Sequence, residues 1–435
     1  MRVEDSSLIT HHSVLSTQKM GRHEMINTAC RWMAVAVALI LVGLAAGTAR
    51  AEAQMKTLAR DNTAFAADIY RKLAGDGGNL ILSPYSISTA FAMTYAGARG
   101  LTAEQMAEVL RFSLEGDALH GAMARLTDRV ASIDNGDEIT LTVANSLWPQ
   151  AKYSFREEYL STVRESYDAA ITPLNYATDP EAARETINGW VVDRTAGKIE
   201  DLIPPGVLTP LTRLVLVNAI YFKGLWASPF APQRTSPLPF HLLGGETVQV
   251  PTMFQTGEFR HGGDDSAEVL ELPYAGDAVS MVILLPRDAP GRDLTGLARK
   301  LTPSMIDRLT TGLTETEVRV FLPRFKITSR FRLDEALKSM GMADAFSDER
   351  ANFAGMDGRP DWLYIGAALH KAFVEVNEAG TEAAAATGVV MLARGLPQTP
   401  VTFRADRPFL FLIRDNETGS ILFMGQVVDP RDGDQ

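Results

Sequence analysis

Cysteine is almost missing: Cys30 is the only one in 435 residues, and it stands ahead of an apolar span from Met33 to Ala46. Without a second thiol there is no disulfide framework, so the chain depends on its core for stability. Histidine is nearly as scarce. Beyond residue 51 only His120, His241, His261 and His370 remain, and their spacing fits no metal site. The chain has no His-Glu-x-x-His, no Gly-x-Ser-x-Gly elbow and no phosphate-binding Gly-x4-Gly-Lys-Ser/Thr loop. Asp134-Asn-Gly-Asp and Gly262-Gly-Asp-Asp lack the acidic continuation of a calcium loop and read as turns. These absences argue against an enzyme and against a metal or other cofactor. Basic surplus is lacking too: after residue 51 there are 37 Lys and Arg against 50 Asp and Glu. That balance excludes nonspecific nucleic-acid or anionic-membrane binding as a role.

No linker, charge run, low-complexity tract or fixed-period repeat divides the chain. With 46% hydrophobic residues it can bury one large core. The exception is the N-terminus. Arg22 and Arg31 precede the apolar span, and Ala49-Arg50-Ala51 offers a small-x-small cleavage site before Glu52. The span is about fourteen residues, short of the roughly twenty a membrane helix needs. Residues 1–51 therefore read as an extension with a cleavable signal peptide, and 52–435 as a single domain that is secreted or periplasmic, monomeric and free of the membrane.

Apolar spacing predicts helices through most of Asp61 to Ser132, interrupted by a short strand at Asn79-Leu-Ile-Leu. Asp76-Gly-Gly breaks the first helix, and Ser83-Pro84 opens the next at its first turn. Glu138 to Trp148 alternates like a strand, and Asp179 to Thr195 reads as an amphipathic helix ending at Gly197. Leu214 to Phe222 is a nearly continuous apolar run, the length of a fully buried central strand. From Glu268 onward strands dominate, several running into a proline, with Leu333 to Met340 one short helix among them. Phe409 to Arg414 and Ile421 to Val427 flank a hairpin turn. Helices first and strands later give an α+β class.

The run from Glu378 to Gly395 stands apart. Glu382 is followed by Ala383, Ala384, Ala385 and Ala386, which is helix material with Thr381 as a possible N-cap. Gly380 and Gly388 bracket only seven residues, too few for a helix that stands alone. Read as a strand, the run puts Thr381, Ala383, Ala385 and Thr387 on one face, which can be buried without a charge. Beyond it, Arg394 reads either as a solvated loop arginine or as a side chain presented to a partner.

Several ordered blocks resemble the serpin family. They are Asn79-Leu-Ile-Leu-Ser83-Pro-Tyr-Ser86, Ile187-Asn-Gly-Trp190 through Gly197-Lys198, and Leu214-Val-Leu-Val-Asn218 through Trp226. Leu369-His370-Lys-Ala, the Glu378 run and Asp406-Arg-Pro408-Phe409 through Gly425 complete the set, so the resemblance spans roughly Asp61 to Pro430. It implies an inhibitory, prokaryotic type with three β-sheets, about nine helices and an exposed reactive-centre loop at about 378–400. It implies a shutter at Ser83, Ser86, Asn218 and His370, a breach at Trp226, and a hinge of Glu378, Gly380, Thr381, Glu382, Ala383, Ala384, Ala385, Ala386 and Thr387. Some members bind sulfated polysaccharide on a basic helix. Leu119 to Ser132 holds only Arg125 and Arg129, balanced by Asp128, so no such cofactor is expected.

The implied activity is suicide-substrate inhibition: a protease forms an acyl-enzyme on the loop and is trapped when the loop enters the central sheet. The family's seventeen-position spacing, counted from Glu378, ends on Arg394 and places the reactive bond at Arg394–Gly395. An Arg there calls for an acidic specificity pocket, hence a trypsin-like serine protease held as a covalent acyl complex. A shifted register would expose Met391, Leu392 or Leu396 and point to chymotrypsin- or elastase-like enzymes. A cysteine-protease inhibitor and a non-inhibitory carrier or chaperone are the remaining alternatives.

Overall fold

A computed structural model describes residues 47–287, 293–360, 362–381 and 400–431. The chain divides into two units, Met1–Ala53 and Gln54–Gln435. In the second unit a helical stretch over residues 54–73 leads into β1 (Leu80–Leu82). Helices Pro84–Tyr95, Gly100–Leu110 and Gly116–Ala131 follow, then β2 (Ile139–Pro149), helix Glu157–Tyr167 and β3 (Ala170–Ile171). Helix Pro180–Arg194 precedes β4 (Leu214–Leu225). Most of the remainder is strand: β5 (Ser236–His241), β6 (Thr247–Gly263), β7 (Ala267–Pro273), β8 (Val279–Pro286), β9 (Thr314–Pro323), β10 (Phe325–Arg332), β11 (Leu369–Val376) and β12 (Gly380–Thr381). Beyond Thr381 the next described strands are β13 (Val401–Arg404), β14 (Phe409–Asp415) and β15 (Ile421–Val427).

Local signals account for the helix starts. Ser83 caps Pro84–Tyr95 by accepting from Ser86 N, and Asp179 caps Pro180–Arg194 by accepting from Ala182 N. In each, the following proline gives up an N–H that would have been unpaired. Helices absent from the sequence reading include Glu157–Tyr167, Leu294–Lys300 and Pro303–Thr311. Leu294–Lys300 is capped by Asp293 and Pro303–Thr311 by Thr302, so the cap residues were the available signal inside a region read as strand. Strands also begin earlier than Glu268, at Ser236 in β5. β6 shows why the pattern was faint: its alternation of exposed and buried residues shifts phase at Thr252 and Met253, which are both buried.

The expected three sheets appear with two of them joined. β6 is long enough to pair with β5 and β9 over most of its length and with β7 at its Arg260–Gly263 end. One nine-stranded ladder results, running β1-β15-β14-β8-β7-β6-β9-β13 with β5 on β6. β8 and β15 are buried at every position. Their largely apolar runs, broken only by buried Ser280 in β8 and by Gly425 and buried Gln426 in β15, are covered on both faces, each large apolar side chain contributing roughly 1.5–3 kcal/mol. The other sheet has the order β10-β11-β12-β4-β2-β3.

Leu214 to Phe222 is central in that sheet but not buried throughout. Val217 packs on the helix Pro180–Arg194 side with Trp148 and Ile187, while Ile220 and Phe222 join the main core. Tyr221 and Lys223 are half-buried between them. The apolar run thus serves two separate cores on opposite faces of one strand.

Candidate functional site

The two-residue β12 is the centre of the site. It lies between β11 and β4, with Thr381 opposite Val376 on one side and Gly224 on the other. A turn over Asn377 to Gly380 brings the chain round: Asn377 N–H donates to Gly380 O at 2.9 Å, and the Asn377 side chain accepts from Ala379 N. No ladder joins β4 directly to β11 among the described residues; β4 pairs otherwise with β2, and β11 with β10.

Three sets of contacts hold β12 there. Trp226 N–H donates to Ala379 O at 2.9 Å, Phe230 N–H to Glu378 O at 2.8 Å, and the Trp226 indole N–H to Asn377 O at 3.0 Å. Trp226 stacks on Tyr274, ring centroids 4.6 Å apart, and the Tyr274 hydroxyl shares a 2.6 Å hydrogen bond with Thr381 Oγ1. Thr381 is thereby turned into the core, 1% exposed. Beside it, Arg324 Nε donates to Glu378 Oε1 at 2.8 Å and the Thr235 hydroxyl donates to the same oxygen. Burial opposes the Glu378 charge, but these donors outweigh it and hold the carboxyl below its ordinary range. Gly380 is required by close approach: a Cβ there would stand 1.9 Å from Gly224 O.

A second cluster lies beneath the sheet. One edge of β1 pairs with β15, and its other N–H groups reach side chains of the six-stranded sheet. Ile81 N–H donates to Ser329 Oγ at 3.1 Å, and Ser83 N–H to His370 Nε2 at 3.0 Å. The Ser83 hydroxyl also donates to Leu422 O at 2.6 Å, so one serine caps a helix and ties both sheets together. Ser86 is buried and gives its backbone N–H to Ser83. Asn218 lies on β4 in register with Asn145.

The structure therefore brings Ser83, Ser86 and His370 into one cluster and Trp226, Glu378, Gly380 and Thr381 into another. Glu382, Ala383, Ala384, Ala385, Ala386, Thr387, Arg394 and Gly395 lie outside the described residues. Tyr274, Arg324, Thr235 and Asn377 complete the upper cluster and were missing from the sequence-derived set. Among the described residues no group of His, Cys, Asp and Glu is placed to hold a metal ion, and no helix is long and apolar enough to cross a membrane.

His370 Nε2 accepts a proton-bearing N–H, so the ring is neutral and its remaining proton is on Nδ1. Burial pushes its pKa down to about 4. An unfolded histidine titrates near 6.5, so between these values the unfolded chain binds more protons and stability falls as the pH drops. The full window is worth about 3 kcal/mol. Urea midpoints at pH 7.5 and 4.5 should show this loss, and His370→Gln should flatten it; equal slopes in both proteins would remove His370 as the cause.

Comparison with known proteins accords with this geometry. The family model for Serpin (serine protease inhibitor) matches residues 60–430. The chain belongs to the serpin family. Among its serpin relatives, mouse (Mus musculus) antithrombin-III is 42% identical over 383 residues, covering 86% of this chain and 82% of that protein. Bovine (Bos taurus) leukocyte elastase inhibitor is 42% identical over 386 residues, covering 86% and 100%. The structure of cleaved Serpin 42Da superposes with a TM-score of 0.77 at 33% identity, covering 87% of this serpin and 100% of that chain.

Proposed function

We propose that this serpin is a suicide-substrate inhibitor of trypsin-like serine endopeptidases. The observation that carries the reading is the seam between β4 and β11. Gly380 and Thr381 lie between the two strands at one end of it, and among the described residues no other strand lies between them. The sequence that continues from Thr381 suits that place. Thr381 faces the core, so the strand period puts Ala383, Ala385 and Thr387 on the same side, none of them charged.

The protease's serine oxygen bonds to the Arg394 carbonyl carbon, the bond to Gly395 N breaks, and the new amine leaves with a proton from the protease's general acid. The loop then enters the seam with the enzyme attached through the ester. Fourteen residues, Thr381 to Arg394, span about 46 Å at ~3.3 Å each. Displacement on that scale takes the ester out of its catalytic geometry before water cleaves it. Residues 1–51 supply export, so the encounter takes place outside the cytoplasm.

Equimolar trypsin should give an SDS-stable adduct and a released C-terminal fragment beginning at Gly395. Intact mass of the exported protein should begin at Glu52. Arg394→Leu should lose at least 100-fold in rate toward trypsin and gain trapping of chymotrypsin. Clean cleavage by trypsin with no adduct would reject the trap, and cleavage elsewhere would reject the register.

A further inference from the structure

A cleft of about 600 Å³ lies beside the hinge. Small-molecule sites run from roughly 300 to 1,000 Å³, so this one is of a size to enclose a compact ligand. One side of it is apolar and fixed. Phe230 and Pro430 are buried there, and Pro232 and Pro251 stand exposed beside them, Pro251 within β6. Proline side chains lose almost no rotamer freedom when a ligand covers them. The other side is the turn that leads into β12, Asn377 to Ala379, which hangs on the backbone N–H groups of Trp226 and Phe230.

Three cations also line the cleft, Arg324, Lys326 and Arg431. Two are engaged: Arg324 gives its Nε to Glu378 at 2.8 Å, and Arg431 gives its Nη2 to Asp429 at 2.6 Å. Lys326 is exposed and in no ion pair among the described residues, although Glu375 stands opposite it in the β10–β11 register. Its ammonium lies 5.8 Å from the Phe373 ring centre. One spare positive charge beside an apolar wall, in a chain of net charge -11, suits a single anionic group carried on an apolar body.

We propose that this cleft is an effector site for a small amphipathic carboxylate, the carboxylate on Lys326 and the apolar body against Phe230, Pro232, Pro251 and Pro430. The bound molecule touches both the fixed wall and the turn, so it binds while the turn is seated and not after it leaves. By linkage it holds the turn, and β12 beyond it, in the seam. The site goes beyond the trapping reading and stands whether or not the loop traps a protease, because no step of it passes through the enzyme.

Naphthylacetate titrated calorimetrically into the protein should bind at one saturable site, and its neutral analogue naphthylacetamide at least tenfold more weakly. Lys326→Met should weaken the acid tenfold and leave the amide within twofold, which a general disturbance of the cleft would not do. The amides of Trp226 and Phe230 exchange when the turn leaves, so they report the linkage. With the acid at ten times the parent's Kd, their exchange should slow about tenfold in the parent and about twofold in Lys326→Met. Absence of saturable binding up to millimolar acid would overturn the site, as would equal affinity of parent and Lys326→Met for the acid. Tighter binding of naphthylmethylamine than of naphthylacetate would make Glu375 the anchor and overturn the ligand class. Unchanged exchange at saturation would overturn the hold on the hinge. A tenfold gain in affinity on removing residues 432–435 would give the cleft to the chain's own Asp432 and Asp434 and overturn the proposal.

Discussion

Thr381→Arg should turn the inhibitor into a substrate. Trypsin should still cut at Arg394, since the cut is made on the loop before any insertion, but the SDS-stable adduct should fall below a tenth of the parent's yield. Thr381 is buried between β11 and β4 with its hydroxyl against Tyr274, so an arginine there would carry its charge into the core. An unpaired buried charge costs several kcal/mol. If even 3 kcal/mol of that cost appears in the barrier to insertion, the step slows about 100-fold. Ester hydrolysis, left at its own rate, then wins. Glu382→Arg is the matching control, because position 382 falls on the opposite face by the strand period and already carries a charge. It should trap as the parent does. Retention of full adduct yield by Thr381→Arg, measured against active-site-titrated trypsin, would mean that small inward residues do not govern the outcome.

Much of the frame around that residue was legible because its signals are local. Ser83-Pro84 marks a helix start whether or not the fold is known, and the cap is present. Glu138 to Trp148 alternates and Asp415 to Gly419 carries turn residues; β2 and the β14–β15 hairpin follow from each. The partners of those residues were not legible. Ser83 meets His370 across 287 positions, Thr381 meets Tyr274 across 107, and Glu378 meets Thr235 across 143. No period or propensity links such pairs, and the family blocks name only some of them. Tyr274 and Arg324 follow prolines that end β7 and β9, which gave them the look of turn residues. The sharing of β6 between two sheets escaped for another reason: its pairing changes partner along one strand, and a sequence reports only that the strand is there.

Gly380→Val tests the entry point from the backbone side. A Cβ on Gly380 meets Gly224 O at 1.9 Å and Leu225 Cα at 2.8 Å. Both atoms belong to β4, whose other edge is fixed by an eleven-pair ladder to β2, so neither can yield. The cheaper response is for β12 to leave the seam, giving up the bonds from Trp226 N and Phe230 N to the hinge carbonyls. Opening by about 3 kcal/mol should speed amide exchange at Trp226 and Phe230 by about 100-fold. Gly224→Ala makes the contrasting case. Its Cβ meets side-chain ring atoms and not backbone, Phe222 Cζ at 2.7 Å and Tyr274 Cδ1 at 2.8 Å, so it should speed exchange less than Gly380→Val does. Gly380→Val should also fail to trap trypsin, because the residue that leads the loop into the sheet no longer fits between its neighbours. Unchanged exchange at both amides with unchanged trapping would show that the loop enters without the close approach of Gly380 to Gly224.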